Sequence, residues 1–295
     1  MPRYLDPKSD LVFKKVFGGH PELLKSFLNA VLPLPVNCLI ESLEYLSSEN
    51  IPEIPEFKHS VVDVRCFDQQ KRHFIVEMQM SWSKHFMQRL LFNTASVYVR
   101  QLKTAENYRE LNSVYGLAIV DDSFSKETDF LHHYQLRHTK NLEKTIDGIQ
   151  LVLLELPKFK PKTLSDKKLT VLWLRFLTEI NEETQTVDQE LLAVPEIKQA
   201  LALTEEAAYT TEELEAYARN WDAIRTEKTL MEDRWEEGLE KGIERGIERG
   251  IERGVEQSIK TLLSNGLTGE FVAQNMNVDI ALVNAIKASL DVKKR

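Results

Sequence analysis

The stretch HSVVDVRCFDQQKRHFIVEMQM, residues 59–80, decides how the rest of the chain is read. Its two apolar runs alternate with a period of two, the mark of strands with one covered face. On the first run Val62, Val64 and Cys66 share one face, and Val61, Asp63, Arg65 and Phe67 the other. On the second, Phe74, Val76, Met78 and Met80 form the apolar face, and Ile75, Glu77 and Gln79 the more polar one. If residues 68–72 form a five-residue loop, Phe67 faces His73 and Asp63 lies opposite Glu77, with Cβ atoms ~5 Å apart. Two carboxylates that close repel each other, and Mg²⁺ removes the repulsion by taking one or two carboxylates while keeping several waters. A two-residue turn would flip the parity and part the acids. The same alternation also fits a plain amphipathic hairpin, since polar outer faces are ordinary in antiparallel sheets.

Outward from the hairpin, the pattern is mixed. Residues 7–31 read as a helix capped by Ser9 or Asp10 and broken by Gly18-Gly19-His20-Pro21, where Pro21 suits a new first turn. Residues 38–47, 129–138 and 149–156 read as strands, 83–104 as a long amphipathic helix, and NSVYGLAIV (112–120) as a buried strand. Strands with interleaved helices predict an α/β core with a central sheet. From Leu164 onward the chain reads as helices over 164–180, 188–203 and 211 to about 264, followed by a small helical tail with Thr268 and Asp279 as N-caps. The long helix contains KGIERGIERGIERGVEQ, a four-residue repeat over Lys241–Gln257. Four residues overshoot a turn by ~40°, so the Ile243, Ile247, Ile251 and Val255 stripe winds slowly around the helix. Glycine at every fourth position permits close approach of a partner helix, and we expect a homodimer through 238–257.

The 295 residues are 42% apolar and 28% charged, a globular composition that excludes wholesale disorder. A net charge of −8 argues against a nucleic-acid binder only until it is located. Residues 204–256 hold 16 acidic and 8 basic side chains, while the rest balances at 30 against 30. The acidity belongs to the repeat helix and its surroundings, and the body is neutral. No apolar run approaches the ~18 residues of a membrane span. Asp6, Lys8 and Asp10 stand where a signal peptide needs an apolar stretch, so the expected compartment is the cytoplasm. Cys38 and Cys66 make neither a disulfide framework nor a zinc spacing, and His132-His133 on a strand face opposite sides.

Asp63 followed by Glu77-Met78-Gln79 resembles the PD-(D/E)XK nuclease core in its D-xn-E-x-Q variant. DLVFKKVFG (10–18) is similar to the opening signature of the Rpn recombination-promoting nuclease and transposase branch. The helix QRLLFNTASVYVRQL, the segment LELPKF (154–159) and the GIERGIERG helix match in the same order. The resemblance implies a restriction-endonuclease-like mixed sheet flanked by helices, with a long C-terminal helix and a small helical tail. It divides the chain into a nuclease-like core (1–160), a helical extension (161–210), the acidic glycine-repeat helix (211–257) and a helix-turn-helix-like tail (258–295).

The resemblance further implies a metal-dependent DNA endonuclease linked to recombination or transposition. Asp63, Glu77 and the Met78 backbone carbonyl would ligate Mg²⁺ or Mn²⁺, with Asp10 reaching it through water. Gln79 stands where many relatives have lysine; an amide carries no charge, so its part would be to orient the attacking water. Lys14, Lys15 and Arg89 are candidate cations for the phosphate. Arg89 and Tyr98, read as sharing one helix face, are candidates for the substrate groove. The alternative is a weakly active or inactive nuclease-fold module that binds DNA or a partner protein. The tail, poor in basic residues, fits assembly better than groove reading.

Overall fold

Local signals build the first elements of the computed structural model, which describes residues 3–46, 64–102, 107–161 and 168–292. Ser9 caps α1 (Asp10–Phe13) by accepting from the Val12 amide at 3.4 Å. The chain continues in a π-helical turn over Lys14–Gly18 before Pro21 opens α2 (Pro21–Val31), where its missing N–H leaves no bond unmade.

Strands β1 (Leu43–Tyr45), β2 (Val64–Asp68), β3 (His73–Gln79), β4 (Val114–Val120), β5 (Leu131–His138) and β6 (Asn141–Glu155) form one sheet in the order β1-β2-β3-β4-β6-β5. The hairpin register is the expected one: Phe67 pairs with His73, and Val64 with Val76. Its turn is organised by Asp68, whose Oδ1 accepts from the Gln70 and Arg72 amides at 3.0 and 2.9 Å and whose Oδ2 accepts from Arg72 Nε at 2.7 Å. Strands β3, β4 and β6 run parallel, so β3 and β4 need a crossover, and helix α3 (Phe86–Arg100) makes it. Every residue of β4 is buried, as a central strand covered on both faces requires.

Two layers cover the sheet. On one face α1, α2, α4 (Lys168–Glu179) and α6 (Pro195–Thr204) pack on Val64, Cys66, Phe74, Val76, Leu117 and Ile119. At the centre of that layer Trp173 lies 5.5 Å from the Phe17 ring and 5.7 Å from Phe27 and Phe176. Its indole N–H donates to Ser26 Oγ at 3.1 Å. On the other face α3 packs Phe86 and Leu90 against Ala118, Val120, Leu151 and Leu153. Its close approach rests on Gly116: a Cβ there would run into the Thr94 hydroxyl and come within 3.1 Å of Leu151 and 3.3 Å of Leu90.

Three readings change in detail. The 38–47 strand shrinks to β1, preceded by a 3-10 turn over Val36–Cys38. The 149–156 strand is the buried half of β6, whose exposed first half carries no continuous apolar run. The 188–203 helix splits into α5 (Gln189–Leu192) and α6, because Pro195 drives Val194 into an extended conformation.

The chain comprises two units, Met1–Ile224 and Arg225–Arg295, and the division falls within α7 (Thr211–Ser264). In the first unit Tyr217 joins the large core. In the second, Ile259, Val272, Ala273, Val283 and Ile286 bring the end of α7 against α8 (Gly269–Met276) and α9 (Ile280–Val292). Thr268 caps α8, and Asp279 accepts from the Ala281 amide at 2.8 Å. No helix among the described residues is long and apolar enough to cross a membrane.

Candidate active site

Parity along the strands decides what faces α3. Arg65 pairs with Ile75, and Ile75, Glu77 and Gln79 pair with Gly116, Ala118 and Val120, so one face of the hairpin continues onto the surface that α3 covers. Glu77 therefore points toward a helix rather than into water, and it is only 3% exposed. Asn93 comes down from α3 and donates from Nδ2 to Glu77 Oε1 at 2.7 Å. Arg89, one turn earlier, places its guanidinium 3.7 Å from Glu77 Oε2 and donates to Gln79 Oε1 at 2.5 Å. Gln79 Nε2 donates to the Ser81 carbonyl at 2.9 Å. The amide of Gln79 is thus oriented from both ends, with one N–H and one lone pair left for a further partner.

Burial pushes the Glu77 carboxyl above the usual carboxylate range, against the Asn93 hydrogen bond and the charges of Arg89 and Arg65, which pull it down. Arg65 is itself held below the ordinary guanidinium range by burial and by Arg100, with Glu77 acting in the opposite sense. Among the described residues Glu77 thus has Arg89 and Arg65 as its cationic neighbours, and Arg100 at the end of α3 acts in turn on Arg65. Sequence reasoning found Glu77, Gln79 and Arg89 but missed Asn93, Arg65 and Arg100. The signal for Asn93 was available: it falls on the stripe of Leu90 and Thr94, the one amide on the helix's buried face.

The remaining candidates are placed otherwise. Asp63 lies outside the described residues. Met78 packs its side chain against the large core. Asp10 and Lys14 pair with each other at 2.7 Å. Lys15 donates to the Ala208 carbonyl at 2.5 Å, lies 3.5 Å from Glu213 and sits over the Tyr209 ring. It ties the first helix to the start of α7. Arg89 and Tyr98 do not share a face: nine residues at ~100° come to two and a half turns. Arg89 accordingly flanks the buried stripe on the Glu77 side, while Tyr98 packs on the other side, where a Cβ on Gly148 would lie 3.4 Å from its hydroxyl.

Among the described residues no group of three or more His, Cys, Asp or Glu could hold a metal ion. Of the expected donors, Glu77, Met78 and Asp10 are described, and among them the Glu77 carboxylate is the buried side chain. Its chemistry suits a hard divalent cation: Oε1 is committed to Asn93, and Oε2 stands beyond hydrogen-bonding distance of Arg89. In register, Gln79, Val120 and Glu155 form a row at the carboxyl ends of the parallel strands, where open α/β sheets bind their ligands.

Residues 7–233 match the model of a family described as PD-(D/E)XK nuclease family transposase. Neither a curated protein nor a solved structure matches the chain.

Proposed function

Because the chain belongs to the PD-(D/E)XK nuclease family transposases, we propose that it is a metal-dependent DNA endonuclease serving recombination or transposition. The observation that carries this reading is the meeting of Glu77, Gln79, Arg89 and Asn93 at the carboxyl end of β3. Asp63, Glu77 and the Met78 carbonyl would hold Mg²⁺ or Mn²⁺, with Asp10 joining through water; the ion's contribution when bound is to polarise a phosphodiester and lower the pKa of a water molecule. Asn93 keeps one Glu77 oxygen occupied and so orients the other. Arg89, fixed by the Gln79 amide, supplies the positive charge that glutamine lacks, and it faces the phosphate as negative charge builds on it. Arg65 and Arg100 extend that cationic surface. Lys14, Lys15 and Tyr98 are the outer candidates for contact with DNA.

In this reading residues 1–160 carry the chemistry, 161–210 extend it, 211–257 form the assembly helix and 258–295 the tail, in a cytoplasmic protein. The dimer proposal rests on Ile243, Ile247 and Ile251, which are 55%, 59% and 63% exposed on a helix whose repeat glycines have nothing within 4 Å of a built Cβ.

The test is cleavage of plasmid and single-stranded DNA with and without Mg²⁺ or Mn²⁺ by the parent, Asp63→Ala and Glu77→Ala chains. Metal-dependent cutting that both substitutions abolish is expected. Cutting that survives them would overturn the assignment. DNA binding without metal, unaffected by either substitution and without cleavage, would mark a binding module on a nuclease fold.

A further inference from the structure

The segment LELPKF ends β6 in a cluster of buried charge away from Glu77. Glu155, fully buried, lies two strands from Gln79 in the register row and on the same face, that of Val120. At ~4.8 Å per strand the two backbones are ~10 Å apart. Glu155 Oε1 accepts from Lys158 Nζ at 2.8 Å and from the Phe124 amide at 3.1 Å, and its Oε2 lies 3.0 Å from His132 Nε2. Burial works against its charge, yet hydrogen bonds from Lys158, Ser125, His132 and the Phe124 amide hold it below the ordinary carboxylate range. Lys158 also donates to the Ser125 carbonyl and hydroxyl at 2.9 and 2.6 Å and to the Glu127 carbonyl at 2.6 Å. His132 Nδ1 reaches Glu127 at 3.2 Å, and the Glu155 amide donates to the Phe130 carbonyl at 2.7 Å. One short turn thus pins the connection 121–130 along most of its length.

That connection is what holds the end of β3. Phe124 stacks on Trp82 with centroids 4.1 Å apart and planes at 17°. Asp122 Oδ2 accepts from the Trp82 amide at 2.9 Å, and the Asp121 amide donates to the Gln79 carbonyl at 2.9 Å. Trp82 in turn lies 5.3 Å from Phe86, the first residue of α3, the helix that carries Arg89 and Asn93. Every link from Lys158 to the Gln79–Arg89 contact is a packed ring or a hydrogen bond.

We propose that Glu155 and Lys158 are positioning residues that act through the 121–130 connection and Trp82 to set the Gln79–Arg89 pair. The proposal rests on the nuclease reading for its catalytic consequence, but not for its structural one. The experiment compares parent, Lys158→Met, Lys158→Arg and Glu155→Gln full-length chains in two assays. Amide hydrogen exchange in Lys158→Met should rise in 121–130 and in 80–89 while 171–177, around Trp173, stays protected. Cleavage with Mg²⁺ should lose kcat by about 10²-fold, the scale of a misplaced reacting group, with KM moving far less. Lys158→Arg should restore both, since the charge and donors remain. If Glu155→Gln fails to fold, Lys158→Met still decides the matter. Exchange changes confined to 121–130 and 155–158, or spread over every strand, overturn the proposal, as does a parent-like kcat in Lys158→Met. A parent chain that cuts no DNA defeats the nuclease reading, and the exchange pattern alone then judges the clamp.

Discussion

Replacing Gly116 with alanine tests the contact that brings α3 down onto the sheet. The new methyl meets the Thr94 hydroxyl well inside van der Waals contact, with Leu151 and Leu90 at 3.1 and 3.3 Å behind it. Thr94 is fully buried and β-branched, its hydroxyl donating to the Leu90 carbonyl at 2.7 Å, so few rotamers are open to it. Overpacking of this kind costs about 1–3 kcal/mol. Alanine offsets about 0.5–1 kcal/mol of that by restricting the unfolded chain. The net expectation is a loss of about 1–2 kcal/mol, or about 2–8 °C in the melting midpoint of a unit this size. Thr94→Ala removes the obstructing oxygen and costs less than about 1 kcal/mol, since the Leu90 carbonyl it releases lies within a helix. Thr94→Ala/Gly116→Ala should then be more stable than the sum of the singles predicts, by about 1 kcal/mol in a double-mutant cycle. Urea melts followed by circular dichroism measure all four corners. Strict additivity, or a Gly116→Ala chain as stable as the parent, would refute the close-approach argument. The same substitution should weaken Mn²⁺ binding, because α3 also delivers Asn93 to Glu77.

Three further outcomes are expected. Trp173→Ala should cost about 3–5 kcal/mol through the cavity left among Phe17, Phe27 and Phe176, with Trp173→Phe far milder; a loss below 1 kcal/mol in urea melts would contradict the packing. Burial, helped by Asp121 and Glu182 and opposed by Lys8, raises the Asp6 carboxyl from 3.8 to about 6. A raised folded pKa gives stability that is complete below 3.8 and lost as pH climbs through about 6, so the parent should weaken relative to Asp6→Asn by about 2 kcal/mol between pH 4 and pH 7, and a flat difference across that window would count against it. Ile243→Ser, Ile247→Ser and Ile251→Ser combined should convert a dimer to a monomer in sedimentation without lowering the melting of the first unit; an unchanged mass would place the interface elsewhere.

The hairpin was legible because its register follows from the parity of a single loop, and Phe67 and His73 do meet. Pro21, Thr268 and Asp279 were legible for the same reason: caps and first turns are settled by neighbours in sequence. What could not be read were partners that only the fold supplies. Lys15 looked like a free helical cation, yet its carbonyl partner is Ala208, on a segment nearly two hundred positions away. Glu155 and Lys158 stood in LELPKF with no role assigned to them, and nothing local says that Phe124 and Ser125 will come to meet them. Asn93 was within reach of periodicity, as an amide on an apolar stripe. Arg89 and Tyr98 were separated by helix geometry alone, which simple counting could have shown.

The layer that buries α2 has a consequence in time. Leu23, Leu24 and Phe27 leave the ribosome early, but Trp173, Leu174 and Leu177 are made some 150 residues later, and Tyr217, whose hydroxyl accepts from the Asp6 amide at 2.9 Å, later still. At roughly 5–20 residues per second the first helices wait on the order of 10–40 s for their cover. During synthesis they present an uncovered apolar face, so a nascent chain halted before Trp173 should be a client for chaperones, and its release should track the emergence of α4 rather than completion of the sheet.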